Sequence, residues 1–202
     1  MSEIEIHPFE PWLPADAKLL MLGTFPPAPK RWCMDWYYPN FQNDMWRIMG
    51  ILYYGDRNHF VDLENKTYRL DELKVFLKER RIAIFDTCLR IRRTTGTASD
   101  KDLEVVEQAD LDQMLRDLPD CEGVLCAGQL ATKVFTEHFH IENAKKMKMG
   151  GYVEFPFGNR TLKLYRMPSS SRAYPMAAEK KAEYYKIMFE DLNLITPEDY
   201  GR

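Results

Sequence analysis

Leu19-Leu20-Met21-Leu22, an apolar run of strand length that stops at Gly23, limits the possible folds of this chain more than any other stretch. An unbroken apolar run, with no alternation, suits a strand covered on both faces, as in a parallel sheet. Gly23 permits a sharp turn at the strand's carboxyl end. Pro26 and Pro27 then hold the next residues extended and out of a helix. A stiff loop at the carboxyl end of a parallel strand is where open α/β sheets bind ligands. The same residues also suit an ordinary exit from a strand.

The rest of the chain repeats the pattern. Met45, Trp46, Met49 and Leu52 recur at helical spacing, and so do Leu70, Leu73, Phe76 and Leu77. Ile82-Ala83-Ile84-Phe85 reads as a second buried strand ending at Asp86, and Val124-Leu125-Cys126-Ala127 as a third. Gly128 opens a helix carrying Ala131, Val134 and Phe135. Residues 152–155 and 161–167 bracket Gly158-Asn159, a hairpin leading into a fourth core strand. Tyr185, Met188, Phe189 and Leu192 give the last helix one apolar face. Residues 53–68 read as a polar connection. Residues 90–97, basic and then Gly/Thr-rich, read as a loop, after which Ser99 caps a short helix near Asp100. Alternating strands and helices imply a parallel sheet covered on both faces. Residues 1–202 are expected to form a single domain, with residues 1–17 a proline-rich arm whose His7, Phe9 and Trp12 pack onto it.

Composition excludes several classes. No apolar run approaches the roughly 20 residues that span a bilayer. The acidic start Met1-Ser2-Glu3-Ile4-Glu5 lacks the basic region of a secretory signal. A cytoplasmic protein without membrane contact is expected. Cys33, Cys88, Cys121 and Cys126 show no metal or cluster spacing and read as buried thiols. His59, His138 and His140 have no metal-like partner set, so no metal and no cofactor are expected. A net charge of −3 argues against strong non-specific nucleic-acid binding but leaves room for local basic patches. Three such clusters stand out: Lys78/Arg80/Arg81, Arg90/Arg92/Arg93 and Lys145/Lys146/Lys148.

A second loop follows the fourth strand: Met167-Pro168-Ser169-Ser170-Ser171-Arg172. Three serines after a proline offer hydroxyls and backbone N–H groups together, a combination that suits phosphate oxygens or simply caps a helix. Between the two loops lies Trp36-Tyr37-Tyr38-Pro39-Asn40-Phe41-Gln42-Asn43-Asp44-Met45-Trp46, dense in aromatic rings. It suits either a core or a pocket wall with a face for stacking a base.

Gly23-Thr24-Phe25-Pro26, then Tyr37-Tyr38, then Asn43-Asp44-Met45-Trp46 resemble the first motif region of the uracil-DNA glycosylase superfamily, nearest its hypoxanthine-DNA-glycosylase-like branch. The strand ending at Asp86 is similar to that branch too. Met167-Pro168-Ser169-Ser170-Ser171 resembles the second motif of the thymine/mismatch-specific uracil-DNA glycosylases. The motifs stand in the right order, and the resemblance spans roughly residues 6–192.

The resemblance implies a three-layer α/β/α sandwich with a four-stranded, mainly parallel sheet. It implies a monofunctional DNA glycosylase that flips a deaminated base, uracil or hypoxanthine, out of DNA and hydrolyses its N-glycosidic bond. Its partner would be DNA holding a damaged or mismatched base, and a monomer is expected. Carried over, Gly23, Thr24, Phe25, Pro26 and Tyr38 would form the base pocket, with Tyr38 stacking on the base. Asn43 would be catalytic. Met167, Pro168, Ser169, Ser170, Ser171 and Arg172 would grip the DNA, with Arg172 at or beside the wedge. The chain departs from the related patterns at Phe25, Asn40, Phe41 and Met167, and no acid stands near Gly23 in sequence. A neutral amide is a weak base, so a slow enzyme is expected. Asp86 suits the pocket or a turn, and His7 a packing role. The rival readings are a damaged-DNA-binding protein without activity and an α/β enzyme acting on a small phosphorylated ligand.

Overall fold

The computed structural model describes residues 3–94, 102–196 and 199. In chain order the elements are β1 (Ile4–Ile6), β2 (Leu19–Gly23), α1 (Met45–Tyr54), β3 (Val61–Asp62), β4 (Thr67–Tyr68), α2 (Leu70–Glu79), β5 (Ile82–Asp86), β6 (Cys88–Arg93), β7 (Leu103–Gln108), α3 (Leu111–Asp117), β8 (Gly123–Cys126), α4 (Gln129–His138), β9 (Tyr152–Phe157), β10 (Arg160–Tyr165) and α5 (Ala178–Asp191).

The central sheet runs β5-β2-β8-β10-β9. β2 pairs in parallel with β5 and β8, and β8 in parallel with β10. Every residue of β2, β5 and β8 is buried, as their unbroken apolar runs require. Helices flank the sheet: α1 packs along α5, α2 against β5 and α4 against β8. This is the layered α/β architecture expected, with one correction. The sheet has five strands, not four, because β9 of the hairpin joins it as an antiparallel edge. Pro156 sits exposed in β9, as an edge strand tolerates. At the opposite edge, Trp12 exchanges two backbone hydrogen bonds with Ile84, at 3.1 Å and 2.8 Å. The proline-rich arm therefore covers β5.

Three local expectations change. Of residues 90–97, expected as a loop, 90–93 belong to strand β6 in an antiparallel sheet β1-β6-β7, and 95–97 lie outside the described residues. Ile91 is buried in β6, while Arg90, Arg92 and Arg93 pair with Glu107, Glu104 and Glu5. The arginines disguise a strand that cross-strand glutamates neutralise. Residues 53–68 are not all connection: α1 reaches Tyr54, and β3 and β4 form a small hairpin. Ser99 and Asp100 lie outside the described residues. Residues 103–108 are strand, and the next helix, α3, is capped by Asp110. The Asp110 Oδ1 accepts the Gln113 N–H at 2.8 Å.

The parallel register aligns the carboxyl ends of β2, β5, β8 and β10 at one end of the sheet. The loops after β2 and β10, and the turn into α1, all gather there.

Candidate active site

At that end lies a pocket of roughly 370 Å³ counting its mouth, lined by Pro26, Pro27, Tyr37, Tyr38, Pro39, Asn40, Asn43 and Asp86. Two prolines from the first loop and one from the aromatic turn stiffen its wall. Tyr38 stands in the left-handed region at φ 50°. A bulky side chain adopts that conformation only when its surroundings force it. Its ring meets Trp46 edge-on at 5.8 Å, and Trp46 in turn stacks on Trp36. Edge-on and stacked contacts are both favourable between rings. The Tyr38 hydroxyl points inward, buried, with no partner among the described residues. Burial, with smaller contributions from Tyr185, Asp86 and Cys126, raises its pKa well above the ordinary phenol. Burial raises Tyr37 likewise, with Asp86 and Glu10 adding to it. Neither phenol can act as a base at neutral pH.

The acidic group in the pocket is Asp86. In the β2–β5 register it lies directly beside Gly23. A Cβ on residue 23 would fall 2.2 Å from Asp86 Oδ1, so it is the carboxylate that calls for glycine there. Asp86 Oδ2 lies 2.8 Å from His7 Nε2. The buried His7 ring is enclosed by Phe9, Phe25, Tyr37 and Phe85. Although no acid stands near Gly23 in the sequence, the neighbouring strand supplies one.

Asn43 lines the same pocket as Asp86 and ends the aromatic turn. Its side chain must present Oδ1 to the Met45 N–H (2.9 Å), because an N–H needs an acceptor. That interaction satisfies the first N–H of α1 from the residue before its N-cap, Asp44. The NH2 end has no partner among the described residues. The Asn43 carbonyl accepts from Tyr68 (2.8 Å) and from buried Arg47 (3.2 Å), and Arg47 also holds the Phe41 carbonyl. The amide therefore sits on a braced turn.

The second loop is fastened to this same turn. Asn43 and Ser171 form an isolated antiparallel bridge, and the Asp44 N–H donates to the Ser170 carbonyl at 2.8 Å. Lys181, fully buried in α5, donates to Asp44 Oδ2 and to the Ser171 carbonyl, both at 2.8 Å. Tyr185 donates to the Pro168 carbonyl. Arg172 is exposed and lies 3.5 Å from Asp44 Oδ1.

The structure sorts the sequence-derived site residues. Of Gly23, Thr24, Phe25, Pro26 and Tyr38, the pocket wall takes Pro26 and Tyr38. Gly23 lies under Asp86, Thr24 is buried, and Phe25 packs on His7. Of the proposed DNA-gripping set, Met167, Pro168 and Ser170 are buried. The hydroxyls of Ser169 and Ser171 accept N–H groups two residues on, leaving their O–H hydrogens free to donate. Sequence reasoning left Asp86 undecided and gave His7 only packing, and it missed Asp44 and Lys181. A lysine on the apolar stripe of α5, beside Ala178, Ala182 and Tyr185, was the available signal for the last.

Among the described residues, no group of three His, Cys, Asp or Glu side chains could hold a metal, and no helix is long and apolar enough to cross a membrane. Cys88, Cys121 and Cys126 are buried thiols and Cys33 a half-buried one, none of them in a disulfide; burial pushes the Cys121 thiol up to about 12.

No protein-family model and no curated protein matches the chain. Among solved structures, it is similar to the solution NMR structure of a protein from Methanosarcina acetivorans named as a candidate uracil DNA glycosylase. The TM-score is 0.61 at 20% identity, over 95% of this chain and 99% of that one. The likeness establishes a shared fold.

Proposed function

We propose that this protein is a DNA glycosylase that extrudes a deaminated base, uracil or hypoxanthine, and hydrolyses its N-glycosidic bond. One observation carries the reading. The first loop, the Tyr38 wall and Asn43 converge on one pocket, and the second loop is bridged to Asn43 at Ser171. A flipped base needs a flat wall, a polar edge contact and a nearby grip on the strand, and these three elements suit those needs. The match in fold to a candidate uracil DNA glycosylase supports it.

In this reading the base enters against Tyr38. The Asn43 NH2 donates to the base as negative charge builds on it during bond cleavage. Ser169, Ser171 and Arg172 meet the DNA backbone and the gap left in the stack. The test is single-turnover excision on duplexes carrying uracil, hypoxanthine, xanthine or mismatched thymine. Asn43→Ala is expected to lower excision at least roughly tenfold, about 1.4 kcal/mol of barrier. Asn43→Asp, which keeps the acceptor for the Met45 N–H, changes rate or base preference without unfolding the protein. If both variants cut every substrate at the parental rate, Asn43 only serves the start of α1. A duplex that is bound but never acquires abasic sites identifies a reader of damage instead.

A further inference from the structure

We infer that Asp86 is a second catalytic residue of this pocket and that His7, from the N-terminal arm, is the positioning residue that aims it. The inference rests on the glycosylase reading above. Asp86 does no turn or capping work: among the described residues its side-chain hydrogen bond is to His7 alone. The Asp86 side chain is only 10% exposed. A carboxylate so placed among aromatic rings is costly to keep unless it is paired. Its partner arrives from 79 residues away.

An ionised carboxylate only accepts, and that gives the direction of the pairing. Nδ1 lies 2.9 Å from the Phe9 carbonyl and 3.2 Å from the Phe9 N–H. A neutral ring with its proton on Nε2 accepts the Phe9 N–H at Nδ1. An imidazolium donates Nδ1–H to the Phe9 carbonyl instead. In both forms Nε2–H donates to Asp86 Oδ2. The carboxylate is thus held by one oxygen, and Oδ1 is left over Gly23, where no side chain intrudes.

The chemistry follows from that placement. The C1′–N bond breaks with its electron pair passing to the base, and C1′ becomes cationic. The Asp86 charge faces that cation. The oxygen of water bonds to C1′, and the proton it sheds passes to Asp86 Oδ1. The base leaves as an anion under the Asn43 donor and is protonated on release. Asp86 returns its proton to solvent. A carboxylate is a stronger base than an amide, which lifts the expectation of a slow enzyme built on Asn43 alone.

The experiment is single-turnover excision and duplex binding with Asp86→Asn, His7→Gln, His7→Phe and the double variant Asp86→Asn/His7→Phe. Asp86→Asn is expected to lose roughly 100-fold or more in excision with little change in duplex affinity. His7→Gln keeps a donor and stays within about fivefold of the parent, whereas His7→Phe falls at least roughly tenfold in rate, not affinity. Added to Asp86→Asn, His7→Phe costs nothing more, because it acts through the carboxylate. Parental excision by Asp86→Asn overturns the catalytic assignment. An equal His7→Phe loss in both backgrounds overturns the positioning role. If His7→Phe fails to fold, His7→Gln decides: excision as low as that of Asp86→Asn, in a folded protein, counts against donation as the role of His7. A parent that excises no base from any duplex overturns the glycosylase reading, and the role of the dyad with it.

Discussion

The loops after β2 and β10 open at the same end of one sheet, yet only the second is held through a buried charge. The first, residues 23–27, is fastened through its backbone. Thr87 N–H donates to the Gly23 carbonyl, Cys88 N–H to that of Thr24, Arg93 to that of Pro26 and Trp32 to that of Pro27. Its side chains are apolar or buried, and the polar groups beside it come from other elements. The second, residues 167–172, carries the hydroxyls itself. It is held by a charge: Lys181 and Asp44, both buried, clamp Ser171 against the start of α1. The first loop is a scaffold for borrowed chemistry. The second is a polar surface whose position rests on backbone bonds to the turn before α1 and on one buried ion pair beneath them. The two loops therefore have different weak points.

The largest expected effect comes from breaking the clamp. Lys181→Met leaves Asp44 buried with only the exposed Arg172 nearby, which is expected to cost about 3–5 kcal/mol and to lower Tm by roughly 6–20 °C. Adding Asp44→Asn removes the stranded charge and is expected to recover at least about half of that loss. Thermal and guanidinium melting check both, and a double variant no better than the single one sinks the clamp. No single side chain in the first loop is expected to matter as much, because its backbone bonds survive substitution.

A smaller effect separates wall from chemistry at Tyr38. Tyr38→Ala is expected to lose about 1–3 kcal/mol of base stacking, read as weaker binding of a duplex holding a flipped base. Tyr38→Phe deletes a buried hydroxyl that has no partner among the described residues. It is expected to raise stability by about 1 kcal/mol while keeping most excision. Equal damage from the two substitutions would give the role to the hydroxyl rather than the ring.

The smallest effect is at the surface of the second loop. Arg172 is solvated where it meets buried Asp44, and its contact of 3.5 Å is worth only about 0.2–1 kcal/mol, so Arg172→Ala should leave Tm nearly unchanged. Its loss should weaken duplex binding more than single-strand binding, since only a stacked duplex has a gap to fill. Equal losses on both substrates would remove the wedge role.

Much of this contrast was legible in the chain, but unevenly. Leu19 to Gly23 announced a central strand because its run is unbroken and its stop is a glycine. The arginines at 90, 92 and 93 hid a strand, because their partners Glu107, Glu104 and Glu5 lie on strands that composition cannot pair with them. Asn43 was legible as a helix-start amide. That its carbonyl end would accept while its NH2 end stayed free needed the Met45 N–H in place. Ser169-Ser170-Ser171 read as uniform, yet the middle serine is buried with its carbonyl on Asp44, so only its neighbours reach the surface.

The strands, the amphipathic helices and the two loops that matter were written into the sequence, because periodicity and Gly/Pro punctuation act over a few residues. Which charges meet at the site was a matter for tertiary packing. His7 and Asp86 stand 79 residues apart, and Asp44 and Lys181 stand 137 apart. Strand register brings Asp86 beside Gly23, and the packing of α5 along α1 brings Lys181 to Asp44. Such encounters leave no local pattern, because each charge is tolerated in the interior only by a partner that folding supplies.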